Sequence, residues 1–315
     1  MSGVSPRTAL LLTTPPLLWA GNAVVGRLLV GDVPPLTLNL LRWTLAGLIL
    51  LPLAWRVLAE PAALLARWRY LLVLGLLGVG SYNSLQYLAL VTTTPINVTL
   101  IAASLPVWML AVGAGFYGER PTRRQAAGAV LSLSGVLLVV SRGDLAGLAA
   151  VDLARGDLYV VAAVVAWAFY SWMLARPPAS MRPPDRPDWD WADLLMAQIL
   201  FGLLGSAVAA GAEQRVGAAS IDWSWRVVAA LLYVAVGASI VAYRCWGLGV
   251  QEGGPALAAF FSNLTPLFAT LLSAALLGEV PRWYHGVAFA LIVGGIVVSS
   301  SRPRRSERQP VPDRD

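Results

Sequence analysis

The chain has 315 residues and a formal net charge of +6; 57% of the residues are hydrophobic and 13% are charged, about half the charged share of a soluble domain. It contains no lysine, which excludes a P-loop nucleotide site, a retinal Schiff base and a pyridoxal-phosphate linkage. With one histidine, His285, and one cysteine, Cys245, it holds neither a zinc centre of the usual kind nor an internal disulfide.

These exclusions leave a membrane protein that is not an enzyme, with no cofactor, no metal and no nucleic-acid partner, its arginines flanking membrane segments. A membrane helix needs about 20 predominantly apolar residues. Ten such segments can be marked off: residues 8–30, 35–56, 69–91, 95–117, 122–141, 157–175, 191–211, 226–248, 255–277 and 283–301. The first follows Arg7, but its length and its Pro15-Pro16 pair set it apart from a secretory signal peptide.

Span 1 carries Trp19 and Asn22, with Arg27 close to its end. Arg42 lies seven residues into span 2, about 10 Å deep by helix rise; it snorkels, pairs with Asp32, or attracts a carboxylate. Asn83, Gln86 and Tyr87 share a helical face of span 3. Span 4 opens at Pro95 and reaches Pro106 after about 16 Å. Asn97, Ser104 and Trp108 follow helical spacing along it. A proline at 106 displaces the carbonyl of Ala102, giving a packing kink, a hinge or a ligand contact. In the turn Gly118-Glu119-x-Pro121, Glu119 can pair with Arg120, Arg123 or Arg124, and Thr122 with Gln125 reads as a capping box for span 5.

The second half repeats this order. Trp167 and Tyr170 lie on span 6, and Tyr243, Arg244 and Trp246 on span 8. On span 9, Phe260 and Asn263 are a turn apart, and Pro266 displaces the carbonyl of Ser262. An offset of 160 lays Pro95 over Pro255, Pro106 over Pro266, Gly118-Glu119-x-Pro121 over Gly278-Glu279-x-Pro281, and Gly135 over Gly295. Trp19 matches Trp167 at an offset of 148.

The expected architecture is therefore two five-helix repeats, residues 1–142 and 157–301, joined by a periplasmic linker (143–156) and followed by a basic cytoplasmic tail (302–315). An odd number of spans per repeat inverts the second copy. With both termini cytoplasmic, fifteen loop and tail arginines fall inside and five outside, in the sense of the positive-inside rule.

Inverted repeats place a substrate site near the midplane. Asn83 and Gln86 correspond to Tyr243 and Trp246, and Asn22 to Tyr170, so amides of one half face aromatics of the other. That arrangement suits an amphipathic small molecule. The same residues can instead serve as interhelical glue or an interfacial aromatic belt. No carboxylate lies in the middle of a span, which points to movement down a gradient. Membrane lipid is the surrounding partner, and the oligomeric state is left open, a monomer included.

The pattern Trp19-x-x-Asn22, Arg42, Pro106 leading to Gly118-Glu119, and Gly128 to Gly135, echoed by Pro266, Gly278-Glu279 and Gly294-Gly295, resembles EamA-type members of the drug/metabolite transporter superfamily. The resemblance implies ten helices in two inverted halves of a bacterial cytoplasmic-membrane carrier, commonly an exporter of amino acids or other metabolites. The aromatic faces around Trp108, Trp167, Tyr243 and Trp246 look most like the YddG-type branch, for which aromatic amino acids are implied. Other metabolites, drugs or anionic sugar and nucleotide compounds are the alternative cargo, and a lipid-modifying membrane enzyme is the alternative of another class.

Overall fold

The computed structural model describes residues 4–29, 31–89, 92–93, 95–144, 154–215, 217, 220–277 and 282–300. The turn at Glu279, the side chain of Arg27, most of the 143–156 linker and the 302–315 tail lie outside the described residues. Eight helices are long and apolar enough to cross a membrane: Trp68–Ala89, Asn97–Phe116, Arg123–Val140, Arg155–Ala175, Trp191–Arg215, Trp225–Gly253, Pro255–Leu272 and Trp283–Ser300. Pro6–Leu28 and the shorter Pro35–Leu50 are the helices at the first two of the ten expected segments. Span 2 ends earlier than the apolar run implies, because the chain turns there into two short helices, Trp55–Ala59 and Pro61–Ala66.

Local chemistry accounts for several boundaries. The capping box forms: the Gln125 amide N–H donates to Thr122 Oγ1 at 3.2 Å, and the Thr122 N–H donates to Gln125 Oε1 at 2.8 Å. Gly254, with φ +84°, stops span 8 in a conformation that glycine tolerates, and Pro255 opens span 9.

Spans 4 and 9 are each broken at the same repeat position. Span 4 runs Pro95–Ala102 and then Leu105–Phe116; span 9 runs Pro255–Ser262 and then Thr265–Leu277. The α-helical ladder is interrupted there by two-residue turns, 103–104 and 263–264. Pro106 and Pro266 sit in the first turn of a new helix, where the missing N–H costs nothing. Side chains reinforce these turns: Ser104 Oγ donates to Ile101 O at 2.5 Å, a carbonyl that also accepts the Ser104 N–H, and Thr265 Oγ1 donates to Ser262 O, the carbonyl four residues before Pro266, at 2.7 Å. A second symmetric irregularity has no counterpart in the sequence reading. Spans 3 and 8 contain π-helical turns at Leu76–Ser81 and Val234–Val241, and the offset of 160 carries the first into the second.

The inversion is visible where spans 5 and 10 cross. A Cβ on Gly128 would lie 2.7 Å from Gly295 O, one on Gly295 would lie 2.7 Å from Gly128 O, and one on Gly135 would lie 2.9 Å from Ala288 O. Shifting the 128–295 contact by the repeat offset generates the 288–135 contact, so a pseudo-twofold axis passes between two equivalent helices that run antiparallel.

Polar ties close both ends of the bundle. On the face holding the N-terminus, Glu252 pairs with Arg7 at 3.1 Å and accepts from Thr8 at 3.0 Å. Glu119 pairs there with Arg176 of span 6, not with the neighbouring arginines of its own turn. On the opposite face Asp157 is buried and accepts from Thr93, from Asn97 Nδ2 at 3.0 Å and from the Ala154 N–H at 2.7 Å.

Candidate functional site

Trp167 and Tyr170 occupy one face of span 6, and Tyr243 and Trp246 one face of span 8, in each case a turn apart. The four rings meet. Trp167 is the hub, with ring centroids at 5.4 Å from Trp19, 4.7 Å from Tyr82, 4.8 Å from Tyr170, 5.3 Å from Tyr243 and 5.4 Å from Trp246. Trp43 of span 2 extends the cluster, 4.8 Å from Tyr243 and nearly perpendicular to it. Such edge-to-face pairs add attraction beyond area burial. Trp167, Tyr170, Tyr243 and Trp246 are between 0% and 3% exposed, whereas Trp19 and Tyr82 keep part of their rings accessible. In this conformation the inner four rings therefore contact one another rather than an open chamber.

The π-helical turns supply the acceptors around which these rings are arranged. Gly78 and Ala238 are equivalent by the repeat offset, and the carbonyl of each accepts from side chains of other spans. Tyr243 donates its hydroxyl to Gly78 O at 2.6 Å. Ala238 O accepts both Trp19 Nε1, at 3.2 Å, and Arg42 Nη2, at 3.0 Å. A π turn loosens the regular helical ladder and frees carbonyls for such use. Gly78 is required by packing as well: a Cβ there would come within 2.5 Å of the Tyr170 ring. Tyr170 donates to Gln198 Oε1 at 2.9 Å and Trp246 to Ser171 Oγ at 3.1 Å, whereas Trp43 Nε1 is buried without a partner.

Arg42 is 1% exposed. Its Nε donates to Ser239 Oγ at 2.6 Å, and its guanidinium lies 5.2 Å from the centre of the Trp43 ring. Pairing with Asp32, one expectation from the sequence, does not form among the described residues; Asp32 is held through its backbone by Leu29 and Asp222. Arg244 lies exposed over Trp191, at 4.4 Å.

Asn83 is buried close to the Tyr243 hydroxyl, with Arg42, Tyr82 and Tyr87 also in that hydroxyl's surroundings. Gln86 lies close to Tyr82, one turn back. Tyr87 Oη and Asn22 Oδ1 are buried without a partner.

The other sequence candidates lie elsewhere. Asn97 is engaged with Asp157 near the end of the bundle. Trp108 packs against the core without joining the ring cluster, and Phe260 is sealed in that same core. Asn263 donates to Ser132 Oγ at 2.8 Å and so ties span 9 to span 5.

The sequence reading omits Trp43, Tyr82, Gln198, Ser171, Ser239 and Asn39. Asn39 is fully buried, and its amide faces Val79 O, Ser84 Oγ and Ser206 Oγ at 3.1–3.3 Å. Its signal was available: Asn39, Arg42 and Trp43 have i, i+3, i+4 spacing in an otherwise apolar helix. Among the described residues no group of three or more His, Cys, Asp or Glu side chains is placed to hold a metal.

Two inverted five-helix units around a central ring cluster, with broken spans in equivalent positions, define a multi-pass membrane transporter. The EamA-like transporter family matches residues 6–141 and 154–301, and the chain belongs to that family. It is similar to an uncharacterized transporter of Archaeoglobus fulgidus, with 26% identity over 95% of this chain and 99% of that protein. It is also similar to the aromatic amino acid exporter YddG of Ancylobacter novellus, with 28% identity over 92% of this chain and 95% of that protein. A solved crystal structure superposes with a TM-score of 0.73 at 24% identity, covering 94% of this chain and 97% of the other, and so shares the fold.

Proposed function

We propose that the chain is a cytoplasmic-membrane exporter of amphipathic amino acids, aromatic ones foremost, working by alternating access between its repeats, residues 1–142 and 157–301. The observation that carries this reading is the convergence of Trp19, Tyr82, Trp167, Tyr243 and Trp246 from spans 1, 3, 6 and 8 beside the amides of Asn22, Asn83 and Gln86. Rings that pack on one another when closed offer π faces when a gate opens, and the amides then meet the polar end of the substrate. The paired breaks before Pro106 and Pro266 and the paired π turns give each half the same places to bend.

In the proposed orientation both termini are cytoplasmic, as the arginine distribution favours, and the linker 143–156 lies outside. Asp157 and Asp193 are buried but lie in the first turns of spans 6 and 7. With no carboxylate at mid-span, movement follows the substrate gradient.

The test is counterflow in proteoliposomes with a panel of aromatic amino acids, aliphatic amino acids and sugar phosphates. Phenylalanine and tryptophan are expected to exchange fastest. Exchange of sugar phosphates alone overturns the cargo assignment, and uphill accumulation driven by a pH gradient alone overturns the passive mode.

A further inference from the structure

The ring cluster offers a hold for the apolar part of an amphipathic molecule, but leaves one costly feature unexplained: a sealed guanidinium with no carboxylate of the described residues beside it. Ion pairs among the described residues join Arg7 to Glu252, Arg56 to Asp188 and Arg176 to Glu119, all near the ends of the bundle. Arg42 has only neutral partners. Ser239 Oγ can accept from it because that hydroxyl spends its own proton on Val234 O, at 2.8 Å. Ala238 O takes a second corner of the fork, and Nη1 is buried with no partner. The guanidinium is thus fixed in place with one donor corner uncommitted.

Other unpaired polar atoms gather on the same elements. Asn39 Oδ1, Arg42 Nη1 and Trp43 Nε1 come from one face of span 2, Asn22 Oδ1 from span 1 and Tyr87 Oη from span 3, while two more, Trp189 Nε1 and Asp193 Oδ1, lie at the start of span 7. Trp19 and Arg42 share the Ala238 carbonyl, and Asn22 stands one turn from Trp19, so Arg42 and Asn22 border the ring cluster. Buried polar atoms are nearly always paired; a concentration of unpaired ones around an uncompensated cation marks a place where a ligand completes the bonding.

Resting on the exporter reading above, we propose that Arg42 is the anion anchor of the central site and that a single carboxylate on the substrate is obligatory, whereas its ammonium group is dispensable. Nη1 donates to the carboxylate, and the guanidinium supplies its countercharge. The ammonium meets only neutral acceptors such as Asn22 Oδ1, with no carboxylate to pay for its desolvation. One cation balances one negative charge, so a doubly charged phosphate ester is left uncompensated.

The experiment uses the full-length protein in proteoliposomes, with counterflow of labelled phenylalanine as the readout and two competitors that each lack one end of the amino acid. 3-Phenylpropionate keeps the carboxylate; phenethylamine keeps the ammonium. Phenylpropionate is expected to compete and phenethylamine not to compete at the same concentration. In detergent, phenylpropionate should raise the thermal midpoint of the wild-type protein while phenethylamine leaves it unchanged, a measurement that needs no variant to fold. Arg42→Gln should lower phenylalanine exchange at least about tenfold, as expected for losing a charge-assisted bond, and abolish the phenylpropionate shift; Arg42→Lys should retain part of both.

Equal competition by the two analogues, or an Arg42→Gln protein that folds and exchanges like wild type, overturns the anchor while leaving an amino acid exporter standing. A protein that exchanges no amino acid yet is stabilised by phenylpropionate alone refutes the exporter reading and keeps the anchor.

Discussion

The crossing of spans 5 and 10 allows a stability prediction with an internal control. Replacing Gly128 by Ala puts a methyl group 2.7 Å from the Gly295 carbonyl oxygen and 2.9 Å from Ser299 Cβ; replacing Gly295 puts one 2.7 Å from the Gly128 carbonyl and 3.0 Å from Ser132 Cβ and N. Ordinary contact starts near 3.4 Å, so either change drives the helices about 0.7 Å apart. The near atoms include main chain on both helices, which no rotamer change can move. Overpacking of this kind costs about 1–3 kcal/mol.

Because both methyls press on the same crossing, separation forced by the first relieves much of the second. The double variant should therefore lose less than the sum of the single losses, with a coupling of about 0.5–3 kcal/mol. Gly294, next in sequence to Gly295, has nothing within 4 Å of an added Cβ, and Gly294→Ala should be nearly neutral. Unfolding of the detergent-solubilised protein, followed by tryptophan fluorescence, measures all four. The reasoning is refuted if Gly128→Ala and Gly295→Ala are as stable as Gly294→Ala, or if their losses simply add.

Tyr243→Phe removes the hydroxyl that reaches Gly78 O across spans 8 and 3; the expected loss is about 0.5–1.5 kcal/mol in the same unfolding measurement. Ser171→Ala strands the sealed Trp246 N–H, whose acceptor is Ser171 Oγ, and should cost about 1–3 kcal/mol. Glu119→Gln breaks a pair whose side chains are about half exposed, so stability should change by less than about 1 kcal/mol. In the proposed orientation Cys245, the sole thiol, lies toward the cytoplasmic end of span 8 and is half-buried. An impermeant maleimide added outside intact cells should leave it unlabelled, while permeabilised cells should show at least partial labelling.

What could be read in advance follows from how far the governing contacts reach along the chain. The Thr122–Gln125 box joins residues three apart and forms in the structure, and Pro106 and Pro266 each fall in the first turn after an interruption of their spans, so both features were readable. Face assignments failed where the helical phase was lost. Asn97 and Trp108 share a face only if span 4 is continuous, and the break at Ala103–Ser104 resets its register, leaving Asn97 on Asp157 and Trp108 outside the ring cluster. Long-range partners had no local signature: Glu119 has three arginines within five residues yet pairs with Arg176, 57 positions away. The π turns escaped for a related reason, since Gly78 and Gly80 announce close packing without saying which carbonyls will be freed.

The ties at the two ends of the bundle set a resting bias. Glu252 and Arg7 are joined in the open, with side chains 29% and 73% exposed, and such a pair contributes little in water. Asp157 is only 4% exposed and is bound by a hydroxyl, an amide and a backbone N–H at once, which makes its release the costlier event. In the proposed orientation the weaker clasp faces the cytoplasm, so an unloaded carrier should wait with its cytoplasmic mouth ajar. Hydrogen exchange should then be faster around residues 5–10 than around residues 154–159, and the reverse order would place the waiting state on the other side.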